Sequence, residues 1–217
     1  MTGTGNSASR QAAAIRSHAR RGVWRRVLAW AGVTVHTRRA DARAGLWERG
    51  AAGEEATVRL LEGLRSSGWK VRHDLRLPGW RANLDHVLVA PSGDVVVLDT
   101  KVWRRNWPTA LVGGRVHCGL EDRHEQVAKV AGYAARIQAA LGLPGVTVLP
   151  LLVVHGSPVA GGFLAAPVAG VRQPVLVLSP PFLVPTLLSA RQVPDRARAA
   201  AVVDRVDRVL KPYGEGG

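Results

Sequence analysis

Three charged side chains interrupt two strongly apolar segments, and this pattern limits the folds open to the chain. Residues 82–90 and 94–101 are predicted strands, joined by a Pro-Ser-Gly turn that predicts an antiparallel hairpin. Asp85 lies in the first strand, and Asp99 and Lys101 end the second. A charge in a buried strand costs free energy unless it is paired or bound to a metal. The three residues therefore mark either an ion pair or a site with a function.

The hairpin geometry favours a site. An antiparallel pairing brings the start of the first strand beside the end of the second, so Asp85 is expected next to Asp99. The two-residue repeat of a strand places Asp99 and Lys101 on one face of the sheet and Thr100 on the other. Two adjacent carboxylates repel each other unless a cation lies between them.

The residue types indicate hydrolysis of a phosphodiester. Oxygen ligands on a rigid sheet suit Mg²⁺ or Mn²⁺, and a nearby Lys can orient a water molecule and stabilise developing negative charge. Glu54, on a predicted helix, can supply a third acid. In the alternative interpretation, Lys101 only neutralises Asp99 at a strand end.

The remaining pattern predicts an α/β fold, a mixed central β-sheet flanked by helices. Apolar spacing and turn signals predict helices and strands on both sides of the hairpin. The predicted helices are 50–66, 121–141, 181–190 and 195–210, and the other predicted strands are 69–77, 112–116 (a small hairpin), 146–155 and 175–178.

The charge balance suggests a polyanionic partner. The 217 residues contain 30 Lys and Arg against 16 Asp and Glu, a formal net charge of +14. Such a surface favours nucleic acid or an anionic membrane, although a GC-rich genome also tends to encode Arg and Ala. The single Cys excludes an intrachain disulfide. With no signal peptide and no apolar run long enough to span a membrane, we expect a cytoplasmic protein.

Residues 1–44 differ from the rest, because they hold nine Arg and a single acid. We expect this segment to be a basic arm, partly disordered or helical, with a basic helix near residues 11–31. The helix can pack on the domain, bind phosphates or lie on a membrane surface. The predicted organisation is this arm, a domain at 45–178 and C-terminal helices at 179–217.

An ordered series of motifs resembles the nuclease-related domain (NERD) family, from about Gly50 to Leu141. The motifs are Gly50–Glu54, His73–Gly79, Ala82–His86, Pro91–Gly93 and Val97–Lys101.

The resemblance implies the PD-(D/E)xK nuclease superfamily and a restriction-endonuclease-like fold. It also implies site roles: Asp85 and Asp99 bind the metal, Lys101 serves the attacking water, and Glu54 assists the metal shell. Gln126 matches a position where such nucleases often place a polar helper.

Aromatic and basic residues directly follow the charged strand. Trp103, Arg104 and Arg105 can stack on bases and bind phosphates. The alternative is a packed Trp with two solvated Arg side chains.

The sequence as a whole predicts a Mg²⁺- or Mn²⁺-dependent nuclease that acts on DNA in preference to RNA. One alternative is a non-catalytic nucleic-acid-binding module with the same fold. The other is a membrane-surface or interaction protein that uses the basic N-terminal helix.

Overall fold

The computed structural model describes residues 35–80, 82–190 and 193–213. These residues fall into two units, one ending at Ala56 and the other beginning at Thr57. The basic helix predicted near residues 11–31 lies outside the described residues.

Helices and strands alternate along the described part of the chain. Its helices are α1 (Val35–Glu62), α2 (His124–Leu141), α3 (Pro180–Ser189) and α4 (Arg196–Val209), with 3-10 turns at Arg65–Ser67 and Ala160–Gly162. Its strands are β1 (Lys70–Arg76), β2 (Leu84–Val89), β3 (Val95–Val102), β4 (Thr109–Val112), β5 (Arg115–Cys118), β6 (Glu121–Asp122), β7 (Val148–His155), β8 (Phe163–Ala166), β9 (Val175–Leu178) and β10 (Lys211–Pro212).

Within the described ranges, the main sheet has seven strands in the order β10-β1-β2-β3-β7-β9-β8. Strands β3, β7 and β9 run parallel, whereas β1, β2, β8 and β10 pair antiparallel with their neighbours. A smaller sheet, β4-β5-β6, contains the hairpin predicted around residues 112–116. The α/β class with a mixed central sheet is therefore confirmed.

The hairpin of β2 and β3 has the predicted form. Gly93 takes a φ of 87°, and its N–H donates to the Ala90 carbonyl at an N···O distance of 2.9 Å. This left-handed conformation is one that a glycine adopts without strain. The resulting register pairs Val87 with Val97 and His86 with Leu98.

Successive residues of the hairpin bury opposite faces of the sheet. On one face, Val87 and Val97 belong to an apolar cluster with residues of α2 and α4. On the other, Leu88 and Leu98 belong to a cluster with the end of α1 and with α3. Helices therefore cover both faces of the central strands within the unit that begins at Thr57, which explains why β3 reads as a continuous apolar run.

Helix α2 begins at His124, three residues later than predicted. Glu121 and Asp122 form β6 against β5, and the Asp122 carboxylate accepts a hydrogen bond from the His124 amide at an N···O distance of 2.8 Å. The predicted start at residue 121 was wrong because residues 121 and 122 pair with β5, and the apolar spacing of a helix does not locate its first residue.

None of the helices in the described ranges combines the length and the hydropathy required of a membrane-spanning segment.

Candidate active site at the ends of two central strands

Asp85 and Asp99 lie side by side where β2 begins and β3 approaches its end. The backbone pairing of β2 with β3 ends at His86 and Leu98, and one further antiparallel step sets Asp85 opposite Asp99. The Thr100 amide N–H donates to Asp85 Oδ2 at an N···O distance of 2.8 Å. The Asp85 carboxylate is therefore held against the backbone next to Asp99, as the hairpin spacing predicts.

Lys101 completes the group from the same strand. Its ammonium donates to Asp99 Oδ2 and, at an N···O distance of 3.3 Å, to the Thr100 carbonyl. The Asp99 side chain is 9% exposed and the Lys101 side chain 34% exposed. The buried acid therefore has a cationic partner that reaches solvent.

Burial and charge set the protonation of this pair. Burial raises the pKa of Asp99, and the charge of Lys101 opposes that rise. Burial acts to lower the pKa of Lys101, but the charges of Asp99 and Asp85 outweigh it and raise that pKa. Lys101 is therefore a cation at neutral pH, suited to stabilise negative charge and unsuited to accept a proton.

Two side chains of α2 lie close enough to the carboxylates to alter their electrostatics. The pKa of Tyr133 is raised by burial and by the charge of Asp99, and Lys129 acts to lower the pKa of Asp99. Lys129 and Tyr133 are one helical turn apart. Neither residue was predicted from the sequence, and the available signal was this i, i+4 spacing of two polar groups on a helix that follows the charged strand.

Trp103 and Gln126 bond to each other. The indole Nε1–H of Trp103 donates to Gln126 Oε1 at an N···O distance of 3.0 Å, and Trp103 is only 6% exposed. This burial favours the packed alternative for Trp103, because stacking on a base requires an accessible ring face. Arg104 and Arg105 are exposed. Nucleic-acid binding by these four residues stays a prediction.

The donor set of the site suits a hard divalent cation. Mg²⁺ is held in proteins by one or two carboxylates, with water and substrate phosphates as its remaining ligands. Asp85 and Asp99 supply two adjacent carboxylates. Residues 35–80, 82–190 and 193–213 contain no group of three or more His, Cys, Asp or Glu side chains placed to hold a metal. Glu54 belongs to the unit that ends at Ala56, and its role as a further ligand stays a prediction.

A chain of polar side chains lies on the opposite face of the same strands. His73 Nδ1 is 2.8 Å from His86 Nδ1, and His86 Nε2 is 3.4 Å from Thr100 Oγ1. The Thr100 hydroxyl donates to Thr57 Oγ1 at an O···O distance of 3.1 Å, and Thr57 Oγ1 is 2.9 Å from His155 Nε2. These hydrogen bonds therefore hold the Thr100 side chain on the face of β3 opposite to that of Asp99 and Lys101.

A neutral His86 can satisfy every contact in this group of polar side chains. Because the Thr100 hydroxyl donates to Thr57, His86 donates from Nε2 to Thr100, and in the neutral ring Nδ1 then accepts from His73. Burial, together with the charge of His73, lowers the pKa of His86 from 6.5 to about 3.

We expect this neutral histidine to make the fold sensitive to acid. Below pH 6.5 the unfolded chain gains a proton that folded His86 does not bind until about pH 3, so stability falls as the pH falls through that window. The expected loss is about 2 kcal/mol between pH 7.5 and pH 5. Urea unfolding of the wild type and of His86→Gln, in EDTA, measures this loss. The free energy of unfolding of the variant should lack it, and parallel pH profiles of the two proteins would contradict the prediction.

The fold and the strand-end acids define an α/β domain with a candidate cation-binding centre. Residues 49–155 match the family described as nuclease-related domain, NERD, a segment that includes Asp85, Asp99 and Lys101. This part of the chain belongs to the nuclease-related domain family, which confirms the prediction from its motifs. Among curated proteins and solved structures, nothing matches the chain.

Proposed function

We propose that the protein is a cytoplasmic, metal-dependent nuclease that hydrolyses phosphodiester bonds in DNA in preference to RNA. The observation that carries the proposal is the group of Asp85, Asp99 and Lys101 at one strand end, inside a nuclease-related domain. A binding module has no need of two adjacent acids facing a phosphate, because each acid repels the polyanion.

In this proposal, Asp85 and Asp99 hold Mg²⁺ or Mn²⁺, and Glu54 joins the metal shell. The bound cation would act as a Lewis acid and lower the pKa of a coordinated water. In the structure Asp99 pairs with Lys101. If Asp99 bound a cation instead, the Lys101 ammonium would be free for another acceptor.

Lys101 then acts as a hydrogen-bond donor. An ammonium has three N–H donors and no acceptor, and the raised pKa of Lys101 keeps it charged. It can orient the attacking water through the water oxygen and stabilise the charge that develops on the phosphate oxygens. The net charge of +14 supports the same substrate class, because it attracts a polyanion to the surface.

The decisive measurement is cleavage of labelled single-stranded DNA, duplex DNA and RNA by purified wild-type protein. We expect cutting with Mg²⁺ or Mn²⁺, none with EDTA, and recovery when excess metal is restored, because the two carboxylates need a cation to act on a phosphate. Asp204→Asn, which removes an exposed acid of α4, should cut like the wild type.

Two outcomes would count against the proposal. Cutting that persists in EDTA would exclude the metal mechanism. Metal-independent binding of nucleic acid, with no cleavage of any substrate, would identify a non-catalytic module with the same fold.

A further inference from the structure

A groove lies between the turn that joins β1 to β2 and the second half of α2. Its walls are residues 77–80 on one side and Arg136, Ala139 and Ala140 on the other, and its volume is about 520 Å³. Trp80 is the large aromatic side chain of this groove, and Arg136 is its charged one. A groove of this composition offers a flat apolar surface beside a cation.

Trp80 is held by its turn and by Tyr133, and Arg136 covers its ring. The Trp80 amide donates to the Leu77 carbonyl at an N···O distance of 3.0 Å, which closes the turn behind it. The ring meets Tyr133 edge to face, with 5.0 Å between centroids and an interplanar angle of 81°. The guanidinium of Arg136 lies over the Trp80 ring, 5.1 Å from its centroid, so this side chain must turn aside before a base can stack there. The turn and the Tyr133 contact fix the indole before any ligand arrives, which lowers the entropic cost of stacking on it.

Tyr133 connects this groove with the strand-end site. It contacts Trp80 on one side, and on the other it lies near enough to Asp99 for that charge to raise the pKa of Tyr133. Lys129, Tyr133 and Arg136 follow one another along α2, and the helical rise places the backbones of Lys129 and Arg136 about 10 Å apart. The row therefore runs from beside the strand-end site, where Lys129 acts on Asp99, to the groove, where Arg136 lies by Trp80.

The two cations at the ends of this row can be redirected at low cost. Lys129 pairs with Glu125 at an N···O distance of 3.2 Å, but both side chains are mostly exposed, and such i, i+4 pairs are weak. Arg136 is exposed as well. Both can turn towards phosphates without leaving a buried charge unpaired.

We propose that this groove is the nucleotide subsite of the nuclease, in which Trp80 stacks on an unpaired base while Arg136 and Lys129 bind the flanking phosphates. The inference rests on the proposed nuclease function and specifies its substrate: a strand with at least one unpaired base beside the bond that is cut. A base inside a duplex is stacked and paired, so its face is closed to a side chain fixed in a groove. Single-stranded DNA offers that face freely.

Binding to fluorescent oligo-dT and to a duplex of equal length, in EDTA so that nothing is cut, tests the subsite. Trp80→Ala should weaken oligo-dT binding about tenfold or more, as loss of one base–aromatic stack does, with little effect on the duplex. Trp80→Phe should retain part of the affinity because it keeps a ring. Unchanged oligo-dT affinity in Trp80→Ala would overturn the stacking.

Arg136→Glu keeps the test valid if Trp80→Ala disturbs the core, because Arg136 is exposed. We expect weaker oligo-dT binding and a salt dependence reduced by about one phosphate contact. The matched control is Arg208→Glu, at an exposed position of α4, which should bind oligo-dT far better than Arg136→Glu. Equal losses in the two variants would reduce the effect to net charge and overturn the subsite.

The failure of the subsite and the failure of the nuclease proposal look different. If the wild type cuts DNA in Mg²⁺ while the Trp80 and Arg136 variants bind and cut like it, the subsite is wrong and the nuclease stands. If the wild type neither binds nor cuts any nucleic acid, both proposals are wrong.

Discussion

Asp99→Asn is expected to lower the rate of DNA cleavage about 1000-fold or more while the protein stays folded. The substitution keeps the shape and an oxygen that can accept from Lys101, but it removes the negative charge that holds a divalent cation. A bound metal supplies several kcal/mol of transition-state stabilisation, and each tenfold change in rate corresponds to about 1.36 kcal/mol. Loss of about 4 kcal/mol therefore corresponds to the expected effect.

The measurement combines single-turnover cleavage with thermal unfolding in increasing Mg²⁺. The wild type should gain melting temperature as the metal binds the folded state, and Asp99→Asn should gain little. Asp204→Asn should match the wild type in both assays. If Asp99→Asn cuts at the wild-type rate, Asp99 has no part in the reaction.

The hairpin that carries the strand-end acids was predictable because its determinants are local. A Pro-Ser-Gly turn with a glycine at positive φ fixes the register of β2 against β3, and the two-residue repeat then decides which side chains share a face. The contact between Asp85 and the strand of Asp99 follows from these two rules. No long-range information was needed to bring the two carboxylates together.

The α2 side of the site depends on packing between segments distant in sequence. Tyr133 reaches the carboxylates because α2 crosses the face of the sheet on which Val97 is buried. Trp80 meets Tyr133 across more than fifty residues of chain. Periodicity shows that α2 is amphipathic, but it does not show which of its flanking polar residues lies over which strand.

The same limitation applies to Trp103 and Gln126. Alternating aromatic and basic residues after an acidic strand are typical of a nucleic-acid contact. The pattern does not show whether the ring of Trp103 faces the core or the solvent. In the structure β3 extends to Val102, and Trp103 continues its pairing through a hydrogen bond from its amide to the His155 carbonyl, at an N···O distance of 2.9 Å. Its ring packs in the core, where Gln126 satisfies the indole N–H.

The short strands β8 and β10 were also missed. Strand β10 has only two residues, which pair with the edge of β1 at Leu75 and Arg76. Strand β8 pairs with β9 along four residues and forms the opposite edge of the sheet. Edge strands of this length have too few residues for an alternating pattern, so they are defined by the neighbour they pair with.

Lys101→Met is expected to separate catalysis from metal binding. It removes the ammonium that stabilises developing charge, so we expect cleavage to fall about 100- to 1000-fold, the size seen when one such electrostatic donor is lost. It also leaves buried Asp99 without its cationic partner, which should cost about 1–3 kcal/mol of stability. A bound divalent cation would replace the missing positive charge beside Asp99.

Lys101→Met should therefore gain more melting temperature from Mg²⁺ than the wild type does, even though it cuts poorly. Lys101→Arg, which keeps a positive charge in a broader shape, should recover most of the metal-free stability and only part of the activity. A Lys101→Met protein that cuts normally would exclude a catalytic role. One that loses both activity and the Mg²⁺ response would show that Lys101 acts by holding Asp99 in place, because the carboxylate then fails to bind the metal without it.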